Sequence, residues 1–375
     1  MKSTLRTVRL QLTEPLRISR STMAARDAVW LTVEHDGQRG HGEAVSSVYY
    51  GLDAPELERQ LHACGRWLTG FPDPETALDA LRDEPGRPGA APGAARSSGP
   101  GAAPGAARSS GPGAAPGVMA AVESALLDLA GRRAGLPVHR LLGSAAARPS
   151  AATARTIGIT RPDRAAAQAA ALVRAGFSVL KVKAGTPDPA DDLARVRAVR
   201  AAAPGARLLL DPNGAWGFAT ARHLLPQYAD LGVEAVEQPV PPGTPDELAR
   251  LAEASPLPVI ADEDAADLAD AARLAGRVHG INVKLAKCGG AGAALRIAEL
   301  VEGTGTALML GCLTASTLGI APAVHLVDRA RWVDLDGHLL LADDPWTGIG
   351  GADGTVTAPA GSGLGVRLRA AGAEA

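Results

Sequence analysis

Carboxylates recur at the ends of short apolar runs in the second half of the chain. Asp211, Glu237 and Asp262 each follow such a run, at spacings of 26 and then 25 residues. If the runs are neighbouring strands, these side chains converge, and converging carboxylates repel one another unless a cation lies among them. Oxygen ligands without histidine or cysteine favour Mg²⁺ over zinc. The alternative is that each acid is a helix cap or a surface charge.

Lysines form the second half of this pattern. Lys181 and Lys183 are two residues apart in the run FSVLKVKAG, so both point to the same side of a strand. Two ammonium groups this close disfavour each other's charge, so one can act as a base near neutral pH. Lys284 ends a run four strands later. The alternative is that these lysines extend from the rim into solvent.

These groups together suit the chemistry of a carbon acid that lies next to a carboxylate. Deprotonation of such a carbon is unfavourable because it places a second negative charge on the carboxylate. A divalent metal on that carboxylate stabilises the enediolate, and a positioned base adds about 10²- to 10⁴-fold in rate. Lysines on opposite faces of the substrate could remove a proton from one face and return it to the other.

The elements that must position these residues alternate between strands and helices. From about residue 150, eight apolar runs are separated by Ala-rich amphipathic segments; the runs are TARTIGI, FSVLKVKAG, ARLLLDPNG, VEAVEQPV, LPVIADED, GINVKLAKCGG, TALMLGCL and RWVDLDG. This alternation predicts a parallel sheet, and eight units predict a closed (β/α)₈ barrel of α/β class. Its active site would lie at the carboxyl ends of the strands. An open doubly wound sheet is the alternative, although no GxGxxG follows the first strand.

The first part of the chain has a different organisation. Residues 1–50 alternate as strands do, and 54–83 and 118–135 have helical spacing, the second ending at Gly135. Between the helices, GAAPGAARSSGP occurs twice and restarts, over residues 89–117. A stretch so rich in Gly, Pro, Ala and Ser cannot bury a core, so it predicts a disordered surface insertion.

Composition excludes several classes of protein. The 375 residues carry a net charge of −2 and 3% aromatic residues, which argues against a nucleic-acid partner. No apolar run is long enough to span a membrane, and the first residues lack the apolar region of a signal peptide, so we expect none. The three cysteines form no CxxC pair. We therefore expect a cytoplasmic protein with a small-molecule substrate.

In chain order, KVK, LLLDPNGAW, VEQPV, ADED and NVKLAKCGG resemble the enolase superfamily, in its muconate-lactonizing subgroup. The resemblance covers nearly the whole chain and implies a TIM barrel with an N-terminal α+β capping domain. The implied division is a capping domain over 1–118, a helix leading into the barrel over 119–345, and a segment returning to the capping domain over 346–375. The implied roles are an acid/base pair of Lys183 and Lys284, with Lys181 tuning Lys183, and Mg²⁺ ligands Asp211, Glu237 and Asp262. Asn213 and Lys287 are further candidates.

The tripeptide DLD at 334–336 resembles the Asp-x-Asp of dipeptide epimerases, whose pair holds the α-ammonium of the substrate. Asp334 and Asp336 on one face would form a pocket for a cation. The alternative is a turn, since DLDG has turn-forming residues. The family usually carries a glutamate after the seventh strand, where this chain has Ala315, and the stretch between Asp262 and Lys284 is short, which indicates a trimmed helix.

The resemblance implies a Mg²⁺-dependent epimerase that inverts the α-carbon of the C-terminal residue of a dipeptide by two-base 1,1-proton transfer. The alternatives in the same subgroup are an N-acylamino-acid racemase, an o-succinylbenzoate synthase and a muconate-type cycloisomerase, none of which needs a free ammonium. A non-catalytic barrel is a further alternative, opposed by the intact set of lysines and acids. We also expect a homo-oligomer. In the predicted loop 18–27, Arg20 and Arg26 could bind a substrate carboxylate; the alternative is that both are surface arginines, so they are not included among the site residues.

Overall fold

The structure is a computed structural model, which describes residues 1–83 and 113–369. Most of the predicted insertion lies outside the described residues. Its last part, 113–117, is described and is not a surface insertion, because Ala114 is buried and a helix begins at Pro116. Proline suits the first turn of a helix, since its missing N–H would have no partner there.

The N-terminal part is an antiparallel sheet packed against helices. Its elements are β1 (Lys2–Ile18), β2 (Ser21–His35), β3 (Gln38–Val45), α1 (Ala54–Leu68), α2 (Pro74–Asp83) and α3 (Pro116–Ala134). The strand order is β1–β2–β3. The region 54–83, predicted as one helix, is two, since Gly70 and Pro72 separate α1 from α2. Helix α3 ends at Gly135, whose φ of 67° is left-handed, as the sequence predicts.

Small residues bring α3 close to the capping sheet. A Cβ on Gly40 would lie 2.1 Å from the carbonyl oxygen of Ala125, and one on Gly42 would lie 2.0 Å from that of Ala121. Glycine is therefore required at both positions of β3 for the backbones to approach this closely.

The remainder of the chain forms the barrel and a C-terminal extension. Its helices are α4 (Val138–Leu141), α5 (Pro162–Arg174), α6 (Pro189–Ala202), α7 (Phe218–Asp230), α8 (Pro245–Ala254), α9 (Leu268–Leu274), α10 (Leu285–Cys288), α11 (Ala291–Val301) and α12 (Thr317–Val324), with 3₁₀ turns at Val327–Arg329 and Gly337–Leu340. Its strands are β4 (Ser150–Ala152), β5 (Ala154–Ile157), β6 (Val179–Lys183), β7 (Arg207–Asp211), β8 (Val233–Glu237), β9 (Val259–Ala261), β10 (Gly280–Lys284), β11 (Ala307–Gly311), β12 (Trp332–Asp334), β13 (Trp346–Thr347), β14 (Thr355–Thr357) and β15 (Arg367–Leu368). The predicted trimmed helix is α9, which has seven residues.

Strands β5 to β12 form one sheet in consecutive order, and every neighbouring pair is parallel. These strands are the eight apolar runs, so the predicted (β/α)₈ barrel is confirmed. The two ends of this order are joined by side chains. The backbone N–H of Thr156 on β5 donates to Asp336 Oδ2 at 2.7 Å, and Leu335 N–H donates to Thr153 Oγ1 at 2.8 Å. The barrel is therefore closed at this seam by hydrogen bonds between β5, or the residue before it, and the residues that follow β12.

The interior of the barrel has an apolar floor. It consists of Ala154, Val179, Leu209, Ala235, Ile260, Met309 and Trp332, all buried against one another. Because side chains alternate along a strand, the residue two positions after each floor residue also points inward. For β6, β7, β8, β9 and β12 that next residue is a lysine or an acid: Lys181, Asp211, Glu237, Asp262 and Asp334. The strand period thus directs five charged side chains into the barrel.

The C-terminal extension contacts the N-terminal part. The ring of Trp346 packs edge-on against Trp30 of β2, with centroids 5.5 Å apart. The N–H of Leu364 donates to Asp128 Oδ1 on α3 at 2.8 Å. These contacts support the predicted return of this segment to the capping domain, while the boundaries at 118 and 345 stay a prediction. No helix of the described ranges has the length and apolarity to cross a bilayer.

A buried histidine pair ties α4 to the end of α12. The N–H of His139 donates to His325 Nδ1 at 3.2 Å, and His325 Nε2 lies 3.2 Å from the carbonyl oxygen of Leu364. His325 is therefore neutral, with its proton on Nε2. Burial lowers its pKa from 6.5 to about 4, and His139 adds to the lowering, while the bond to Leu364 opposes it.

Acid should therefore destabilise the protein through His325. Its folded-state pKa is lower than that of the unfolded chain, so the unfolded chain binds the proton first as the pH falls. The stabilisation is complete above about pH 6.5, and about 3 kcal/mol is lost on acidification to pH 4. Urea unfolding at several pH values measures the free energy of unfolding, and its decrease with falling pH should be smaller in His325→Gln than in the unaltered protein. His223→Gln, at an exposed histidine, is the control; equal slopes in both variants would contradict the prediction.

Candidate active site

The charged residues predicted from the sequence meet at the carboxyl edge of the barrel. Lys183, Asp211, Glu237, Lys284 and Asp334 each end a strand, and Asp262 directly follows β9. Lys183 is in register with Asp211 on the next strand. The rim therefore brings together residues from six strands that are far apart in the chain.

Lys181 lies among three carboxylates of the rim. Its Nζ is 3.0 Å from Asp211 Oδ2, 2.6 Å from Glu237 Oε2 and 2.8 Å from Asp334 Oδ2. The side chain is buried, and it bridges carboxylates from β7, β8 and β12. In this structure an ammonium group thus supplies the positive charge that the converging acids require.

The pKa of Lys181 is set by the acids that surround it. Burial acts to lower its pKa, but the carboxylates of Asp211, Asp334 and Glu237 outweigh burial and raise the pKa well above its usual value. Repulsion between neighbouring lysines is therefore weaker than the attraction of three acids at contact distance. Lys181 is a fixed cation of the site.

Lys183 binds Asp211, the first of the acids Asp211, Glu237 and Asp262, which together we call the acidic wall. Its Nζ donates to Asp211 Oδ2 at 2.5 Å, and Asp211 Oδ1 accepts the N–H of Asn213 at 2.9 Å. Asn213 has a φ of 50°, which turns the chain directly after β7. Burial would raise the pKa of Asp211, but Lys181 and Lys183 hold it below its usual range. Asn213 therefore orients Asp211 through its backbone.

Lys284 and Lys287 bind the third acid from the other side. Lys284 Nζ lies 2.7 Å from Asp262 Oδ2 and 3.9 Å from Glu237 Oε1. Lys287 Nζ lies 2.7 Å from Asp262 Oδ1 and also donates to the carbonyl oxygens of Asp262 and Ala265, so it fixes this turn. Burial opposes charge on Asp262, but both lysines hold its pKa well below the usual range.

Lys183 and Lys284 come from opposite sides of the barrel. Their strands, β6 and β10, are four apart in the order of eight. In a closed barrel, strands at this separation face each other across the axis. The two lysines thus flank the acidic wall formed by Asp211, Glu237 and Asp262.

The donor set of this wall fits a hard divalent cation. Its members are carboxylates on three consecutive elements of the barrel, with no nitrogen or sulfur donor among them. Burial raises the pKa of Glu237 to about 7, and Asp211 and Asp262 add to this effect. Within the described residues, no group of three or more His, Cys, Asp or Glu side chains is arranged to hold a metal ion. In the acidic wall, the ammonium group of Lys181 contacts Glu237 and that of Lys284 contacts Asp262. A cation would relieve the repulsion that Glu237 experiences.

The structure separates the two aspartates of DLD. Asp334 points to the rim, where it binds Lys181, and its Oδ1 is buried with no hydrogen-bond partner among the described residues. Asp336 instead accepts from Thr156 N–H at 2.7 Å and from Arg155 Nη1 at 3.2 Å, at the seam of the barrel. The role of both as a pocket for an ammonium stays a prediction, and Asp334 is the member with a free oxygen.

Two capping segments lie near the rim. Arg20 Nη1 pairs with Glu263 Oε1 at 2.7 Å, next to Asp262, and its guanidinium lies over the ring of Tyr49 at 4.9 Å. Burial raises the pKa of Tyr50, and Asp262 adds to the effect. The loops around residues 20 and 50 are thus close to the acidic wall, as expected for segments that cover a substrate.

Sequence reasoning missed Glu43, at the end of β3. Its Oε1 accepts the N–H of Ser316 at 2.8 Å, and its Oε2 accepts Trp30 Nε1 at 2.7 Å and the hydroxyl of Ser316. Burial raises its pKa to about 7, although these bonds oppose the rise. Ser316 follows Ala315, so Glu43 brings a carboxylate from the capping sheet to the segment after β11, where the family resemblance had led us to expect a glutamate.

Comparison with known proteins agrees with this fold. The profile described as "Enolase C-terminal domain-like" matches residues 164–372. The hydrophobic dipeptide epimerase of Roseobacter litoralis is 32% identical over 363 residues, which is 96% of each chain. The chain belongs to the enolase superfamily.

Solved structures of dipeptide epimerases share this fold. The dipeptide epimerase of Enterococcus faecalis, complexed with Mg and the dipeptide L-Leu-L-Tyr, matches with a TM-score of 0.84 and 28% identity, over 97% of this chain and 98% of that one. The substrate-liganded L-Ala-D/L-Glu epimerase of Bacillus subtilis matches with a TM-score of 0.83 and 28% identity, over 99% and 100%. Both likenesses extend over the capping domain as well as the barrel.

Proposed function

We propose that this chain is a Mg²⁺-dependent dipeptide epimerase that inverts the α-carbon of the C-terminal residue. The observation that carries this proposal is the opposed pair of Lys183 and Lys284, on β6 and β10, with three buried carboxylates between them. The named relatives support it, since the Roseobacter and Enterococcus proteins are both dipeptide epimerases.

Each group of the rim has a role in this proposal. Asp211, Glu237 and Asp262 would hold Mg²⁺, which when bound supplies positive charge for the substrate carboxylate as its α-carbon loses a proton. Lys183 and Lys284 act on opposite faces, one removing the α-proton and the other delivering a proton. Because either can act first, both epimers are substrates.

The remaining groups position the substrate and these bases. Lys181 stays charged between Asp211 and Glu237 and keeps those carboxylates in place. Asp334 has a buried oxygen without a partner in the described part of the chain, which suits the α-ammonium of a dipeptide. The loops that carry Arg20 and Tyr50 cover the rim from the capping domain.

Exchange of α-protons tests this function. We expect dipeptides incubated with the protein and Mg²⁺ in D₂O to incorporate deuterium at the α-carbon of the C-terminal residue, starting from either epimer. N-acetylation of the same dipeptides removes the ammonium and should reduce exchange by at least about tenfold, the effect of losing one charge-assisted hydrogen bond. Mass spectrometry and NMR measure both. Faster exchange on the N-acetylated compounds, or no exchange on any dipeptide, would rule out the proposal.

A further inference from the structure

A buried glutamine, Gln238, directly follows Glu237 at the end of β8. The residue is 0% exposed, and its backbone φ of 36° lies in the left-handed region. That region suits glycine and is unfavourable for a residue that carries a Cβ. Such a conformation persists only where the surrounding structure enforces it, and it is typical of functional sites. The contacts of the Gln238 side chain are therefore the place to look for a role.

The side-chain amide of Gln238 makes four hydrogen bonds. Its Oε1 accepts the N–H of Asp262 at 3.0 Å and the N–H of Asp264 at 3.2 Å. Its Nε2 donates to the carbonyl oxygen of Val240 at 3.0 Å and to Asp264 Oδ2 at 2.8 Å. Both lone pairs of the oxygen and both N–H groups are thus used. Asp264 Oδ1 in turn accepts the N–H of Gly243 at 2.6 Å.

The backbone of Gln238 contacts the neighbouring strand and turn as well. Its N–H donates to the carbonyl oxygen of Ile260 on β9 at 2.8 Å, and its carbonyl oxygen accepts the N–H of Gly214 at 2.7 Å. Gly214 lies in the turn after β7. Gln238 therefore binds the turns after β7 and β9 while it belongs to the turn after β8. The three carboxylates of the acidic wall lie at the strand ends where these turns begin.

A second support of the turn after β9 is complementary to this one. Lys287 binds the carbonyl oxygens of Asp262 and Ala265, whereas Gln238 binds the N–H groups of Asp262 and Asp264. Lys287 comes from α10, on the far side of β10. Gln238 comes from the preceding strand, so its bonds set the position of one wall carboxylate relative to the next.

We propose that Gln238 is a positioning residue that fixes the spacing of the acidic wall and thereby favours Mg²⁺ over larger divalent cations. This inference rests on the proposed function, in which that wall holds Mg²⁺. Mg²⁺ demands near-ideal octahedral geometry with oxygens at about 2.0–2.1 Å, whereas Ca²⁺ accepts more varied arrangements at about 2.3–2.6 Å. A wall that loses this support keeps its charge but loses its fixed spacing, which matters more to Mg²⁺ than to Ca²⁺.

Cation titrations of Gln238→Met test this role. Methionine keeps the length of the side chain and makes none of the four hydrogen bonds. Isothermal titration calorimetry of the full chain, with Mg²⁺ and Ca²⁺ in separate runs, gives both affinities without reference to turnover. We expect the affinity for Mg²⁺ to fall by about 10- to 100-fold, as for other residues that orient metal ligands. The affinity for Ca²⁺ should fall by no more than about threefold, because its coordination is flexible.

A matched control and a rescue accompany this variant. Gln227→Met, on α7, removes an amide that bonds to the carbonyl oxygen of His223 in its own helix, and should leave both affinities unchanged. Gln238→Glu places a carboxylate against Asp264 and should also lower the preference for Mg²⁺. Adding Asp264→Asn restores a donor at that contact and returns the net charge to that of the unaltered protein. The double variant should therefore recover part of the preference.

The ratio of the two affinities decides between positioning and a merely structural role. An equal loss for Mg²⁺ and Ca²⁺ in Gln238→Met, or no loss for either, would overturn this inference while leaving the proposed metal site intact. Should that variant fail to fold, equal ratios in Gln238→Glu and in the double variant would overturn it instead. If the unaltered protein bound neither cation, the proposed metal site would be wrong and the role of Gln238 with it.

Discussion

Replacing Lys284 with alanine is expected to abolish epimerisation, and Lys183→Ala should do the same. Each variant lacks the group that serves one face of the α-carbon, and a positioned base contributes about 10²- to 10⁴-fold in rate. Inversion needs both faces, so either loss stops it. Polarimetry or chiral chromatography of a dipeptide substrate measures the inversion.

The two variants should differ in the exchange that they retain. With one lysine left, the epimer whose α-proton faces that lysine can still exchange its proton with D₂O, whereas the other epimer cannot. Lys183→Ala and Lys284→Ala should therefore retain exchange on opposite epimers. Lys2→Ala, at an exposed lysine of β1, is the control. Full two-way inversion in both active-site variants would show that the two-base assignment is wrong.

The strand period made most of the rim predictable from the sequence. Floor residues such as Leu209 and Ile260 are followed two positions later by Asp211 and Asp262. Alternation along the strand therefore predicts that both acids point into the barrel, one layer above the apolar floor. The order of the eight runs then placed Lys183 and Lys284 on opposite sides. Regular local patterns were enough because parallel strands end at one edge.

Contacts between distant parts of the chain could not be predicted in this way. Glu43 reaches Ser316 across 273 positions, and Asp336 accepts the N–H of Thr156 across 180 positions at the seam of the barrel. Such pairings depend on how the capping sheet packs on the barrel, which no local period encodes. The raised pKa of Lys181 also depends on such long-range contacts, since it is set by acids from three other strands.

Lysine usage is a compositional signal that the motif analysis did not use. The chain has five lysines and 33 arginines, and four of the five lysines are Lys181, Lys183, Lys284 and Lys287 at the rim. Arginine cannot lose its proton in a protein, whereas lysine can, so a chain that otherwise favours arginine needs lysine where a proton is transferred. Lys287 shows that a compact ammonium also serves to fix a turn.

Removing Mg²⁺ is expected to stop exchange of the α-proton. A chelator should reduce the rate to background, and added Mg²⁺ should restore it, because the substrate carboxylate then regains the positive charge that opposes its second negative charge. Rates measured before chelation, after it and after Mg²⁺ is returned check this expectation. Exchange that is insensitive to the chelator would contradict it.

The wall of carboxylates should determine the affinity for that metal. Asp262→Asn and Glu237→Gln each keep the shape of the side chain but remove one negative charge, and we expect either change to weaken Mg²⁺ binding by at least about 10- to 100-fold. Asp246→Asn removes an exposed carboxylate that pairs with Arg277, and should leave the affinity unchanged. Isothermal titration calorimetry measures all three without reference to turnover. Equal affinity in the three variants would place the metal elsewhere, because a buried oxygen ligand cannot lose its charge without effect on a divalent cation.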